Sequence, residues 1–120
     1  MTAGYRNLDV WKKSKELAVQ VYLFTKDSSL ERDYGLVDQM RRSSVSIASN
    51  IAEGDERDSN KDAIRFFYIA RGSAAELYTQ LEIASEVYPA LSEYANELKS
   101  TCDEISRMLH GLIASRKKYL

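Results

Sequence analysis

The chain is poor in residues that interrupt or staple a fold. Its 120 residues include one cysteine (Cys102), one histidine (His110), one proline (Pro89) and five glycines. A single cysteine excludes an internal disulfide and fits a reducing compartment. One cysteine and one histidine cannot complete a tetrahedral zinc site within one chain. The Glu-x-x-His pairs of helical di-metal sites are missing too, because Arg107 stands three residues before His110. No metal and no cofactor are expected. So little glycine and proline argues against an all-β chain and leaves room for long helices. The formal net charge of -1 argues against a strongly basic nucleic-acid binder, although a local patch can still form. The most apolar run, Leu17 to Phe24, is broken by Gln20 and falls far short of the roughly 18 residues of a membrane span. Met1 to Asn7 holds no apolar stretch of the secretory kind. The expectation is a cytoplasmic protein with no membrane partner.

What is present is amphipathic periodicity. With 44% hydrophobic and 29% charged residues, the chain can bury a core and suits one domain over 1–120. Steps of three and four recur in four segments. They run Val10, Ser14, Leu17, Val21, Phe24; then Val37, Met40, Ser44, Ile47, Ile51. The third is Ala63, Phe67, Ala70, Ala74, Leu77, Leu81, Ala84, Tyr88, and the fourth Ala95, Leu98, Cys102, Ile105, Leu109, Leu112. Each set falls on one helical face and forms a seam against neighbours. The breaks are legible as well. Lys26 to Asp33 is polar, Ser59 with Asp62 forms a capping box, Pro89 follows the third segment, and Ser92 with Glu93 opens the fourth. Helices are predicted at about 8–26, 34–53, 60–87 and 92–117. Short connections make an all-α, antiparallel up-down four-helix bundle the economical arrangement.

The stretch "NIAEGDERDSN", Asn50 to Asn60, lies between two of these patterns. One glycine, no GK[ST], no preceding strand and crowded acids speak against a phosphate-gripping loop. Gly54 is predicted to end the second helix in a left-handed conformation, with Asp55 to Asn60 making the crossing.

Several residues admit a chemical or a structural reading. Antiparallel pairing places Arg42 level with Gly72 to Glu76, so an Arg42–Glu76 pair is expected to set the register of the second and third helices. Asn50 and Glu53 lie near the end of the second helix, and Arg41, Arg42 and Arg71 are the candidates to face them and Glu76. The competing reading is an acid–base pair in a cleft. Gly72-Ser73 in mid-helix is unfavourable by about 1 kcal/mol for the glycine. Close approach by a neighbouring helix, along the small strip Ser44, Ala48 and Ala52, would compensate. Cys102 reads as a small apolar core residue and His110 as a polar flank.

Two surface features point outward. Ile69 and Ile83 lie roughly 130° from the third seam, with Tyr68 and Ala75 beside them. A second apolar strip suggests subunit packing, and eight tyrosines fit an interface. Charge is segregated too. From Glu76 to Glu104 seven acids face Lys99 alone, whereas Lys12, Lys13, Lys15, Arg41, Arg42, Arg116, Lys117 and Lys118 gather elsewhere. Repeated in an oligomer, Lys12, Lys13, Arg41, Arg116, Lys117 and Lys118 could contact a phosphate backbone. Solvated faces and complementary subunit contacts are the plainer explanation.

"SIASNIAEG" (Ser46 to Gly54) followed by "ARGSAAEL" (Ala70 to Leu77) resembles the paired signature of the 23S rRNA intervening sequence proteins, also called S23-like ribosomal or four-helix bundle proteins. "LDVWKKSKELA", "YGLVDQMRRSSVSI" and "RMLHGLI" extend the likeness over almost the whole chain. The resemblance implies a left-handed four-helix bundle assembled into a ring, expected to be a pentamer. It also brings in a related branch, the accessory proteins of diversity-generating retroelements, which work with a reverse transcriptase and nucleic acid. Architecture transfers through such kinship far better than activity. Three functions are carried forward. The first is a non-catalytic homo-oligomeric module that binds a protein or nucleic-acid partner. The second is an enzyme on nucleic acid or nucleotide that uses Glu53, Glu76 and arginines. The third is a purely structural oligomer.

Overall fold

Each helix starts and stops for a reason that can be read in its side chains. The computed structural model describes residues 4–120. Among them are four α-helices and no strand: α1 (Asp9–Phe24), α2 (Tyr34–Asp55), α3 (Asn60–Val87) and α4 (Ser92–Lys117), with single 3-10 turns at Gly4–Asn7 and Pro89–Leu91. After α1, the buried Thr25 donates its hydroxyl to the carbonyls of Val21 (2.9 Å) and Tyr22 (3.0 Å), adding to its own amide's bond to Val21 and tightening the last turn. Asp33 caps α2 by accepting from the Leu36 amide at 3.4 Å. Ser59 caps α3 by accepting from the Asp62 amide at 3.2 Å. Arg116 and Lys117 occupy the last turn of α4, where positive charge suits the helix end.

The connection before α2 is more than a polar break. Leu30 within it is fully buried and joins the core. Around it, Asp27 accepts from the amide (2.9 Å) and hydroxyl (2.6 Å) of Ser29. The Ser29 hydroxyl bond, and then the amide bond, hold this carboxyl below its ordinary range. The turn thus folds back over the leucine.

The seams predicted from periodicity form one core. Phe24, Phe67, Leu17, Met40, Ile47, Ile51, Leu77, Leu81, Ile105 and Leu109 are fully or almost fully buried in it. The fourth seam slips at its end, where Ile113 is buried and Leu112 only half-buried. A straight helix drifts against a strict seven-residue repeat, so the last inward position moves on by one.

Gly54 corrects an expectation. α2 does not end there in a left-handed residue; it runs on to Asp55 and is closed by Glu56 at φ -85°. Among the described residues the one glycine with positive φ is Gly4. Instead, Gly54 is buried, and a Cβ there would lie 2.8 Å from Phe67 Cε1 and 3.0 Å from both the Ala63 carbonyl oxygen and Phe66 Cβ. The missing side chain lets α3 cross against α2.

Contacts then tie helix ends together. Arg116 near the end of α4 pairs with Asp55 at the end of α2, at 2.8 Å. Lys99 in α4 pairs with Glu82 in α3 at 3.0 Å, and Tyr94 packs edge-on against Phe24 with ring centroids 5.0 Å apart. The result measures 47 × 26 × 20 Å. No described helix is long and apolar enough to cross a membrane.

Candidate functional site

Two exposed surfaces and one inward polar cluster account for the residues singled out above. The inward cluster comes first. Ser46 of α2 and Ser73 of α3 share a hydrogen bond of 2.8 Å between their hydroxyls. Asn50 donates its side-chain amide to the Ser46 carbonyl (2.9 Å) and hydroxyl (3.0 Å). Ser73 is buried and the other two half-buried, so the bonds join α2 to α3 where solvent competes poorly.

This cluster stands where the sequence suggested Arg42 and Glu76. Arg42 instead pairs with Asp38, one turn back on its own helix, at 3.1 Å, with 80% of its side chain exposed. The inward residues of α2 around it are Met40, Ser43, Ser44 and Ile47, and position 42 points away from them. Glu76 is exposed and has no ion-pair partner among the described residues. Gly72 is corrected as well. It is exposed, and nothing lies within 4 Å of the position a Cβ would take. No helix of the same chain approaches it closely. Glu53 pairs with Arg57 at 2.8 Å across one turn of its own helix.

The first exposed surface is the outer face of α3. Ile69, Ile83 and Val87 are about half exposed, at 46%, 48% and 58%. Glu76 lies midway between the two isoleucines, seven residues from each, and successive heptads turn a helix face by only about 20°. Tyr68 and Ala75 border this strip and are exposed. Arg71 lies 5.0 Å from the Tyr68 ring centroid and Lys117 lies 5.4 Å from it. Hydrogen bonding by Lys117 holds the Tyr68 hydroxyl below the ordinary tyrosine range.

The second surface is a cleft between α1 and α2 that sequence reasoning missed. At one end an open cavity of about 520 Å³ is lined by Tyr22, Asp38, Arg41, Arg42, Val45 and Ser46. Tyr22 and Val45 also line its continuation, an apolar groove of about 480 Å³ that reaches Ala18, Val19, Leu23 and Ala48, with Lys15 and Lys26 on the rim. Arg41 is held in place at the junction. Its Nε donates to the Thr25 hydroxyl at 2.9 Å and its guanidinium stacks 4.5 Å from the Tyr22 ring centroid. It has no carboxylate partner among the described residues. The clue was present in the sequence. Val19, Tyr22, Leu23 and Lys26 repeat at steps of three and four beside the seam, which marks a second stripe on α1.

Two of the basic candidates are already ion-paired. Lys13 is paired with Glu104 at 3.2 Å. Arg116 is engaged by Asp55 and lies 5.2 Å from the Phe67 ring centroid. Lys12, Lys117 and Lys118 are exposed. Asp55, which anchors Arg116, lies fourteen residues along α2 from Arg41, about 21 Å at the helical rise. Cys102 is buried, and that burial pushes its thiol up to about 12, which suits a core residue and not a nucleophile. His110 is exposed. The described residues hold no group of three or more His, Cys, Asp or Glu arranged to bind a metal ion.

The same architecture is found in a solved structure. A protein of unknown function from the S23 ribosomal protein family of Bacteroides thetaiotaomicron VPI-5482 is similar with a TM-score of 0.79 and 28% identity, covering 87% of this chain and 97% of that one. No curated protein matches the chain. The family model for the 23S rRNA-intervening sequence protein matches residues 6–111. On that span, nearly the full length of its four helices, this chain belongs to the 23S rRNA-intervening sequence protein family.

Proposed function

We infer that this protein is a non-catalytic homo-oligomeric module, a helical bundle whose working form is a ring, of five subunits on the family resemblance. The observation that carries the reading is the outer face of α3. Ile69, Ile83 and Val87 stand half exposed on one strip with an open Gly72 among them. Burying such a strip against a neighbour removes apolar area from water. Gly72 costs its helix about 1 kcal/mol relative to alanine, and none of the described residues makes use of the space it leaves. Close approach by another subunit would.

Within the subunit, the end-to-end ties between Arg116 and Asp55, Lys99 and Glu82, and Tyr94 and Phe24 support an up-down order of antiparallel helices. In a ring, the exposed Lys12, Lys117 and Lys118, together with Tyr68 flanked by Arg71 and Lys117, would repeat around the assembly. Repetition could turn modest local charge into a surface for a nucleic-acid or acidic protein partner.

The test is the mass of the protein in solution. Wild type should elute as a multiple of the subunit in light scattering, and Ile83→Lys should shift it toward the single chain while helical circular dichroism is retained. An Ile83→Lys protein of unchanged mass would remove this strip from the interface.

A further inference from the structure

We propose that the cleft between α1 and α2 is the receiving surface for the outer face of α3 from a second copy of this chain, with Glu76 of the arriving copy on Arg41. The proposal rests on the oligomeric reading above and adds to it the second half of the contact. Three observations lead here.

The first is charge. Arg41 is fixed by the Thr25 hydroxyl at 2.9 Å and by the Tyr22 ring at 4.5 Å. Its Nε is occupied, and its terminal amino groups remain for a carboxylate. A guanidinium fork whose pose is already set loses little side-chain freedom on binding one. The nearby acid, Asp38, is taken by Arg42 at 3.1 Å. On the outer face of α3 stands Glu76, a carboxylate that is exposed and unpaired among the described residues. Each surface therefore offers an unmatched charge beside the others on its rim, the two of opposite sign.

The second is spacing. The apolar groove continues from Arg41 along α2 through Val45 to Ala48, seven residues away. On α3, Ile83 lies seven residues from Glu76. Both intervals correspond to about 10 Å of helix. With Glu76 on Arg41 and the arriving α3 running alongside α2, Ile83 reaches the groove floor at Ala48. Glu86, further along α3, then approaches the end of the groove where Lys15 stands on the rim.

The third is steric access. Gly72 lies one turn before Glu76 on the same outer face, with nothing within 4 Å of its absent side chain. The arriving backbone can therefore settle low over the Arg41 end of the cleft.

Because the two surfaces differ, the contact is head-to-tail. Each copy gives its α3 face to one neighbour and its cleft to another, a geometry that closes into a ring or continues as a filament.

Charge reversal tests the pairing. Arg41→Glu and Glu76→Arg, each examined by sedimentation across a concentration series, should weaken assembly by roughly tenfold or more. The double variant Arg41→Glu/Glu76→Arg should recover it. If both single variants assemble like wild type, or if the double variant stays as weak as the singles, the proposed docking is overturned while the oligomeric reading stands. If wild type itself stays at subunit mass at every concentration, the oligomeric reading falls, and this proposal falls with it. Should Arg41→Glu fail to fold, Val19→Glu carries the same test. Val19 is 55% exposed in the groove, so the change leaves the core intact and should weaken assembly by a similar factor. An unchanged assembly would overturn the docking.

Discussion

Gly54 and Gly72 are eighteen positions apart on neighbouring helices, and they do opposite things. At Gly54 the space for a side chain is already filled by Phe67, Ala63 and Phe66 of α3. At Gly72 the corresponding space is empty and faces outward. The first glycine is explained completely by the fold of one chain. The second has no explanation inside it. That difference separates a residue that builds the subunit from one whose use, on the oligomeric reading proposed above, lies between subunits.

The comparison can be broken first at its crowded end. Gly54→Ala should cost about 3 kcal/mol in urea unfolding, the upper end for overpacking, because two of the three clashing atoms are main chain or Cβ and cannot swing aside. A loss below half of that would mean the crossing is loose.

A second test uses pH to set inward against outward faces. The Cys102 thiol is pushed up to about 12 by burial, from an ordinary 9.0. The native pKa lies above the unfolded one. The stability linked to it is therefore complete below pH 9 and is lost between pH 9 and about 12, as the unfolded thiol ionises and the native one cannot. At pH 10.5 wild type should have lost about 2 kcal/mol more than Cys102→Ala, measured by urea midpoints across the range. Parallel curves for the two proteins would place the thiol in contact with water.

The smallest effect is expected at Gly72. Gly72→Ala should raise subunit stability by roughly 1 kcal/mol, through helix propensity and a less flexible unfolded chain. It should also weaken assembly, which sedimentation would detect. A gain in stability with assembly untouched would place Gly72 outside any contact.

Much of the fold was legible because burial follows from a helix's own period. Phe67, Ala70, Ala74, Leu77 and Leu81 could be assigned inward from spacing alone, and the structure buries all five. Ser59 announced the start of α3 because a cap is a local device, complete within four residues. What spacing does not contain is the rotation of one helix relative to the next. For that reason the close helix approach expected at Gly72 is found at Gly54, and Arg42 was given a partner on α3 when it had Asp38 one turn away. Sequence reasoning did single out Ser73 and Asn50, yet their joint partner Ser46 emerged only with coordinates. Hydroxyl and amide groups carry no periodic signature that reveals which neighbour they will meet. The cleft beside Arg41 was hidden for a related reason. It needs α1 and α2 together, and neither helix alone exposes more than a few apolar side chains.

One carboxylate ties two distant parts of the chain together. Asp33 accepts from the Leu36 amide with one oxygen and from the Tyr88 hydroxyl, at 2.8 Å, with the other. That bond, more than any loss of hydration, raises the Tyr88 hydroxyl above its ordinary range, so the latch stays shut into alkaline solution. The head of α2 and the tail of α3 are therefore joined through one side chain. A helix end that would fray by itself is held by a hydrogen bond to a residue 55 positions away.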